Sequence, residues 1–283
     1  VIPFYRLSGA GNDFLVLAEP GEEPAAERIR AWCARGLSAG ADGLIVLSRS
    51  GVAVRMVYFN SDGGRAALCI NGTRCAALLA ADLGWVGREV DILTDAGSIP
   101  AHIRAPHRVA LELRPPKPPR PLDLEVDGDT HSGFLVDAGV PHFVLPWAGG
   151  LGTAPVAGLG PSLRSHPALG SAGANVDFAR YPSPEHLELR SFERGVEAET
   201  LACGTGVLAV LAVGVATGLL KLPCEALTAG GFIFEIDGRA EGECLTRCTI
   251  TGDARLIAKG ELQPGAHQLP PPPRWAPAKL PDP

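Results

Sequence analysis

Short runs of β-branched and aromatic residues, each bounded by Gly, Asp or Ser, recur along the chain. In the first half Ile2 to Leu7, Phe14 to Leu17, Gly43 to Leu47, Ala53 to Phe59, Val90 to Thr94 and Val109 to Leu113 read as strands. In the second half His131 to Ala138, His142 to Leu145, Val176 to Ala179, Leu187 to Phe192, Phe232 to Ile236 and Cys248 to Thr251 do the same. Helical spacing appears at Glu22 to Ala34, at Thr73 to Leu83 before Gly84, and from about Gly206 to Thr217 before Gly218. Between the halves stands Arg114-Pro-Pro-Lys-Pro-Pro-Arg-Pro121, which suits neither a helix nor a central strand. The expected organisation is an N-terminal half over residues 1–114, a linker over 115–121 and a C-terminal half over 122–254. A strand over 255–262 is expected to return to the first half, and a proline-rich tail over 263–283 has no core of its own.

One segment changes the picture. Leu201 to Leu220 carries no charge over roughly the length of a spanning helix. It opens with Cys203-Gly-Thr-Gly206 and is interrupted by Gly214 and Gly218, so a helix buried on every side explains it better than a membrane span.

The 283 residues suffice for one large domain or two moderate ones. With 46% hydrophobic and 20% charged residues the chain is expected to fold, and 35 Gly and 26 Pro favour turns and short strands over a helical bundle. A net charge of −6 provides no basic field for nucleic acid or an anionic membrane. The seven cysteines form no dense framework, and Val1 to Arg6 does not resemble a secretory leader. Free thiols in the cytoplasm are therefore expected.

Two of those thiols repeat a pattern. Cys69-Ile-Asn-Gly72 leads into the helix Thr73 to Leu83, and Cys203-Gly-Thr-Gly206 into the helix that follows it. A thiol at a helix N-terminus lies where unpaired N–H groups and the helix dipole favour negative charge, which can lower its pKa. The same N–H groups can hold a carboxylate. If the two turns face each other across a cleft, an α-amino acid fits between them, one thiolate removing the α-proton and the other thiol delivering one to the opposite face. No cofactor is needed for that inversion. A pyridoxal route would require a suitable lysine, and Lys117, Lys221, Lys259 and Lys279 include two in proline-rich segments. The plainer reading is that a lone cysteine packs in the core, which suits Cys33, Cys75, Cys224, Cys244 and Cys248. No Cys-x-x-Cys or His-x-x-x-His pair supports a metal site.

Several further segments, in this order and spacing, resemble the diaminopimelate epimerase family. They are Gly9-Ala-Gly-Asn-Asp-Phe14, Phe59-Asn-Ser-Asp-Gly63, Cys69-Ile-Asn-Gly-Thr-Arg-Cys75, Pro141-His142, Asn175-Val176, Glu193-Arg-Gly195 and Glu199-Thr-Leu-Ala-Cys-Gly-Thr-Gly206. The resemblance implies an α+β fold of two pseudo-symmetric domains, each a β-barrel-like sheet wrapped around a central helix. It implies a cofactor-independent epimerase converting LL-diaminopimelate to the meso isomer, in the supply of lysine and cell-wall precursor, with a homodimer as the expected assembly. Carried over by position, Cys69 and Cys203 would be the acid–base pair, and His142 and Glu193 would tune the thiols. The amides of Ile70, Asn71, Gly204 and Thr205 would hold the reacting-end carboxylate. Asn12, Asn60, Asn175, Glu193 and Arg194 would line the rest of the substrate site.

Four positions depart from the family pattern. Ile70 replaces a usual Gly, Val140 an Asn, Gly43 a Gln, and Ala258 a Tyr that supports the dimer. The loss of polar groups at 43 and 140 keeps open a racemase or epimerase for another, less polar amino acid. A non-catalytic amino-acid-binding protein is a further alternative, disfavoured by the presence of both cysteines.

Overall fold

The computed structural model describes residues 1–269. The N-terminal half contains β1 (Ile2–Gly9), β2 (Asn12–Ala18), α1 (Ala26–Cys33), β3 (Gly43–Ser50), β4 (Ala53–Asn60), β5 (Arg65–Ala66), α2 (Ile70–Asp82), β6 (Glu89–Thr94), β7 (Gly97–Ala105) and β8 (Arg108–Leu113). The C-terminal half follows with β9 (Arg120–Val126), β10 (Asp129–Asp137), β11 (Pro141–Pro146), α3 (Val156–Arg164), β12 (Asn175–Ser183), β13 (His186–Glu193), β14 (Ala198–Thr200), α4 (Gly204–Ala216), β15 (Cys224–Thr228), β16 (Ile233–Glu241), β17 (Cys244–Asp253) and β18 (Arg255–Leu262).

The pairing repeats. β1 runs antiparallel to β2, β2 parallel to β3, and β3 antiparallel to β4. β4 then takes β5 antiparallel and β6 parallel, and β6, β7 and β8 follow as a meander. From β10 the second half uses the same sequence of pairings through β17. β9 flanks β10. Its counterpart beside β1 is β18, which pairs Ile2 with Leu262 through Ser8 with Arg255. β8 also pairs antiparallel with β17, Leu113 opposite Cys248 and Arg108 opposite Asp253. Two backbone ladders thus join the halves, giving the α+β architecture of two similar sheets, each around one helix.

The central helices are α2 and α4. In α4 the run Val207 to Val213 is buried on every side, as its lack of polar residues requires. Among the described residues no helix is long and apolar enough to cross a membrane. Each helix begins earlier than its apolar spacing suggests, because the cysteine before it serves as cap. The Cys69 sulfur accepts from the Gly72 N–H at 3.4 Å, and the Cys203 sulfur from the Gly206 N–H at 3.4 Å. Each helix ends at a glycine with φ of +71°, Gly84 and Gly218, a conformation costly for any side chain.

Other boundaries moved for identifiable reasons. Helix α1 starts at Ala26 rather than Glu22, since Pro24 keeps the residue before it out of the helical region. Helix α3 is missing from the apolar pattern because Gly158, Gly160 and Pro161 lie inside it. It is held by packing, for a Cβ on Gly160 would lie 2.8 Å from the Phe192 ring. Strand β7, interrupted by Pro100 and alternating with polar residues, is fixed by neighbours on both sides. Strand β9 begins at Arg120, within the proline-rich stretch. At the C-terminal end, Trp32 Nε1 donates to His267 Nδ1 at 2.8 Å. Residues 270–283, most of the proline-rich tail, lie outside the described residues.

The end of β1 presses on the first turn of α2. A Cβ on Gly9 would stand 2.6 Å from the Asn71 carbonyl oxygen and 3.1 Å from the Cys75 sulfur. Backbone cannot yield cheaply there, so Gly9→Ala is expected to lower stability by about 1–3 kcal/mol. Urea denaturation of the variant beside the parent chain measures it.

Candidate active site

The capped ends of α2 and α4 meet. A Cβ on Gly204 would lie 2.8 Å from Ile70 Cβ and 2.9 Å from Ile70 Cγ2, so the first residues of the two helices are in van der Waals contact. Asn71 Nδ2 crosses the junction and donates to the Ala202 carbonyl at 2.9 Å, one residue before Cys203. On the rim, a Cβ on Gly11 of the β1–β2 turn would meet Leu201 Cδ1 at 2.8 Å and Phe232 Cε2 at 2.9 Å. The halves are closed on each other here. A groove of about 760 Å³ lies elsewhere, lined by residues including Glu185, His186, Cys224, Glu235 and Asp237, and touches neither Cys69 nor Cys203.

At a helix start the first N–H groups have no intrahelical acceptor. Those of Ile70 and Asn71 on α2 and of Gly204 and Thr205 on α4 therefore converge on one junction, at the positive ends of both dipoles. An anion held there would lie between the two sulfurs' turns.

Around Cys69, Asn12 Oδ1 faces the sulfur at 3.8 Å while its Nδ2 donates to Asp42 at 2.9 Å. Asn60 lies at the exposed end of β4, opposite Gly43. Around Cys203, the Thr205 hydroxyl is 3.4 Å from the sulfur, and Glu193, which accepts from the Thr200 hydroxyl, lies beside the thiol. Asn175 Oδ1 accepts from the Arg194 backbone N–H at 2.8 Å, and Arg194 Nη1 reaches the Gly173 carbonyl at 3.5 Å.

His142 is wholly buried. Its Nδ1 donates to Asp177 Oδ2 at 2.6 Å, and Asp177 Oδ1 accepts from the Ser191 hydroxyl at 2.6 Å. Since Asn175 Oδ1 is already taken, its Nδ2 faces His142 Nε2 at 3.2 Å, which makes Nε2 an acceptor. This chain supports the start of α4, where a Cβ on Gly206 would stand 2.5 Å from Asp177 Oδ1. The imidazole thus bonds Asp177 and Asn175, and Glu193 is the side chain set against the Cys203 thiol.

The electrostatics differ from the expectation that helix N-termini lower both thiols. Burial pushes Cys69 up to about 11; the Gly72 N–H offsets part of it, Glu193 adds to it, and Arg74 and the Asn71 N–H draw it down. Burial, with Glu193 and Asp177 behind it, raises Cys203 well above the ordinary thiol range, and the Thr205 hydroxyl and Gly206 N–H oppose them. Burial also raises Glu193. Cys33, Cys224 and Cys248 are pushed by burial to about 12 and Cys75 further still, so Cys69 is held below these four. Desolvation outweighs the helix dipole because the cleft is shut.

Sequence patterns passed over four groups of this site. Asp177 follows Asn175 at strand spacing and shares its face, a signal that alternation could have supplied. Ser191 and Tyr58 stand at the same spacing from Glu193 and Asn60, and Arg74 lies within the Cys69 to Cys75 segment. The Tyr58 ring crosses the space left by Gly43, where a Cβ would meet Tyr58 Cε2 at 2.7 Å and its hydroxyl at 3.0 Å. The position lacking a Gln is therefore filled from β4. Among the described residues no group of three His, Cys, Asp or Glu forms a metal-binding cluster.

Comparison with known proteins agrees with this geometry. The family model described as diaminopimelate epimerase matches residues 4–116 and 134–256. The diaminopimelate epimerase of Aquifex aeolicus is 37% identical over 274 residues, covering 92% of this chain and 97% of that one. That of Gemmatimonas aurantiaca is 36% identical over 284 residues, with 92% and 98% covered. Among solved structures, a hydroxyproline epimerase from Agrobacterium vitis with bound trans-4-hydroxy-L-proline superposes with a TM-score of 0.69 at 16% identity, covering 95% of each chain. A phenazine biosynthesis protein of the PhzF family from Enterococcus faecalis gives 0.70 at 15%, covering 91% and 97%. At those identities the structures share the fold alone.

The raised thiols carry a stability consequence. A group protonated more tightly when folded contributes its full share below its unfolded pKa and loses it as pH climbs through the folded one. Folding takes the Cys69 thiol from an ordinary 9.0 up to about 11, so stability is expected to fall between those pH values. Urea midpoints across that window check it, and Cys69→Ser should flatten part of the slope.

Proposed function

The chain belongs to the diaminopimelate epimerase family and is an isomerase, and from that premise we propose that it converts LL-diaminopimelate to the meso isomer with Cys69 and Cys203 as its two proton-transfer groups. The observation that carries the reading is the abutment of two helix N-termini, each capped by a cysteine.

The reacting-end carboxylate is held by the amides of Ile70, Asn71, Gly204 and Thr205, which places the α-carbon between the sulfurs. One sulfur, as thiolate, takes the α-proton; the other, still a thiol, returns a proton to the opposite face. Both dipoles point at the carboxylate onto which carbanion charge spreads, stabilising it as it develops. High thiol pKa values serve both roles. A thiolate of high pKa is a strong base, and its neutral partner remains a proton donor at neutral pH. The pair thus shares one ionisable proton, and its titration belongs to both. Reversing the direction exchanges the roles.

Glu193 orients the Cys203 thiol, and the His142–Asp177–Ser191 chain acts through the α4 turn. Asn12, Asn60, Asn175 and Arg194 line the remainder of the substrate site; a guanidinium suits the far carboxylate. The halves 1–114 and 122–254, with strand 255–262 returned to the first, are the two bodies that open to admit substrate.

Incubation in deuterated water with LL-diaminopimelate and a panel of other amino acids tests the substrate. Deuterium is expected at the α-carbon of diaminopimelate. Exchange into another amino acid and none into diaminopimelate would reassign the specificity. Cys69→Ser and Cys203→Ser should each lower kcat by about 10²–10⁴-fold, measured by the same exchange.

A further inference from the structure

Arg74 is the largest polar side chain buried without any exposure, and no step above uses it. A guanidinium is almost never enclosed unless paired. Here, among the described residues, it meets no carboxylate. Its Nε donates to the Asp253 backbone carbonyl at 3.1 Å and its Nη2 to Asn71 Oδ1 at 2.7 Å, while Nη1 is buried with no hydrogen-bond partner. One face lies on the Phe234 ring, 4.9 Å from its centre. A Cβ on Gly252 would come within 3.0 Å of Nε, so backbone is pressed against it. An apolar side chain of this size would cost less at that position than a half-satisfied cation.

Two features of its placement account for it. First, Asn71 passes the contact on, since its Nδ2 donates to the Ala202 carbonyl at 2.9 Å. A continuous chain therefore runs from Arg74 through Asn71 to the residue before Cys203, from one half into the other. Second, Arg74 is the cation acting on Cys69. The other groups facing that sulfur are the Gly72 and Asn71 amides, Asn12 Oδ1, the Tyr58 phenol and the Glu193 carboxylate, which opposes ionisation. Burial draws the Arg74 pKa down to about 10, still well above neutrality; Cys75, Cys69 and Asp253 favour its charge and Arg108 opposes it.

We propose that Arg74 is a positioning residue for the cysteine pair, bridging the Cys69 turn to the Cys203 loop through Asn71 and supplying the buried positive charge against which the Cys69 thiolate forms. The proposal rests on the two-cysteine reading, yet its first test needs no substrate. In the uncomplexed protein, the pH dependence of Cys69 alkylation by iodoacetamide is followed by mass spectrometry. Arg74→Met should move that profile upward by about one pH unit, a roughly tenfold slower reaction at a given pH below it. Arg74→Lys, which keeps charge and loses the fork, should leave the profile near the parent's. Asn71→Leu breaks the bridge and keeps the charge, so its alkylation profile should match the parent while α-deuterium exchange slows about tenfold or more.

A folded Arg74→Met with the parent's profile would overturn the electrostatic role. Should Arg74→Met fail to fold, Arg74→Lys decides it: a profile displaced by a full unit sinks the role, and one left in place supports it. Exchange undiminished in Asn71→Leu would overturn the bridge. If diaminopimelate proves not to exchange at all while the alkylation results hold, the substrate assignment fails and the role of Arg74 stands.

Discussion

Everything in this molecule is arranged around two helix N-termini brought into contact. The positive ends of two dipoles repel, and a contact between Ile70 and Gly204 supplies little attraction of its own. The approach is enforced from outside, by backbone ladders that run between the halves. β8 pairs with β17 and β18 pairs with β1, so neither half's sheet is complete without the other.

Duplication explains the symmetry, and the departures from it explain the chemistry. Both halves use the same order of parallel and antiparallel pairings, and both place a cysteine-capped helix after the short fifth strand of the repeat. Glu193 acts on both sulfurs; a cation offsets it at Cys69, and a second carboxylate adds to it at Cys203. Cys69 shares its helix with a buried guanidinium, whereas Cys203 faces Glu193 and, behind the first turn, Asp177. Two chemically identical thiols are thereby made unequal.

Burial governs how those thiols behave. Amide donors at the helix starts pull the sulfur pKa down, but desolvation outweighs them at both, at the buried Cys203 and at the partly buried Cys69. The enclosed polar groups behind Cys203 are bonded to one another: His142 to Asp177, Asp177 to Ser191, Asn175 to His142 and to the Arg194 backbone. Such chains rigidify the α4 turn because each member loses more when unpaired than it gains when paired.

Strand runs such as Ala53 to Phe59 and Leu187 to Phe192 were legible because alternation of burial on one sheet face is a local property of the chain. The cysteine turns were legible too, since a Cys-x-x-Gly start followed by a largely apolar helix is written within a dozen or so residues. Helix α3 was not, because Gly158, Gly160 and Pro161 oppose helix locally and only Phe192, brought from β13, makes the glycine an advantage. The linker boundary moved to Arg120 because β10 supplies a partner for residues that alone would stay extended.

The sequence by itself determined most of the strands, the two cysteine turns and the buried character of α4, since each depends on near neighbours in the chain. Tertiary structure alone decided that the caps face each other, that Tyr58 occupies the space at Gly43, that His142 is engaged by Asp177 and Asn175, and that Asn71 links Arg74 to the second cysteine's loop. Those are contacts between residues far apart in sequence. Their energies come from exclusion of water and from hydrogen bonds across the junction of the halves, which no local pattern encodes.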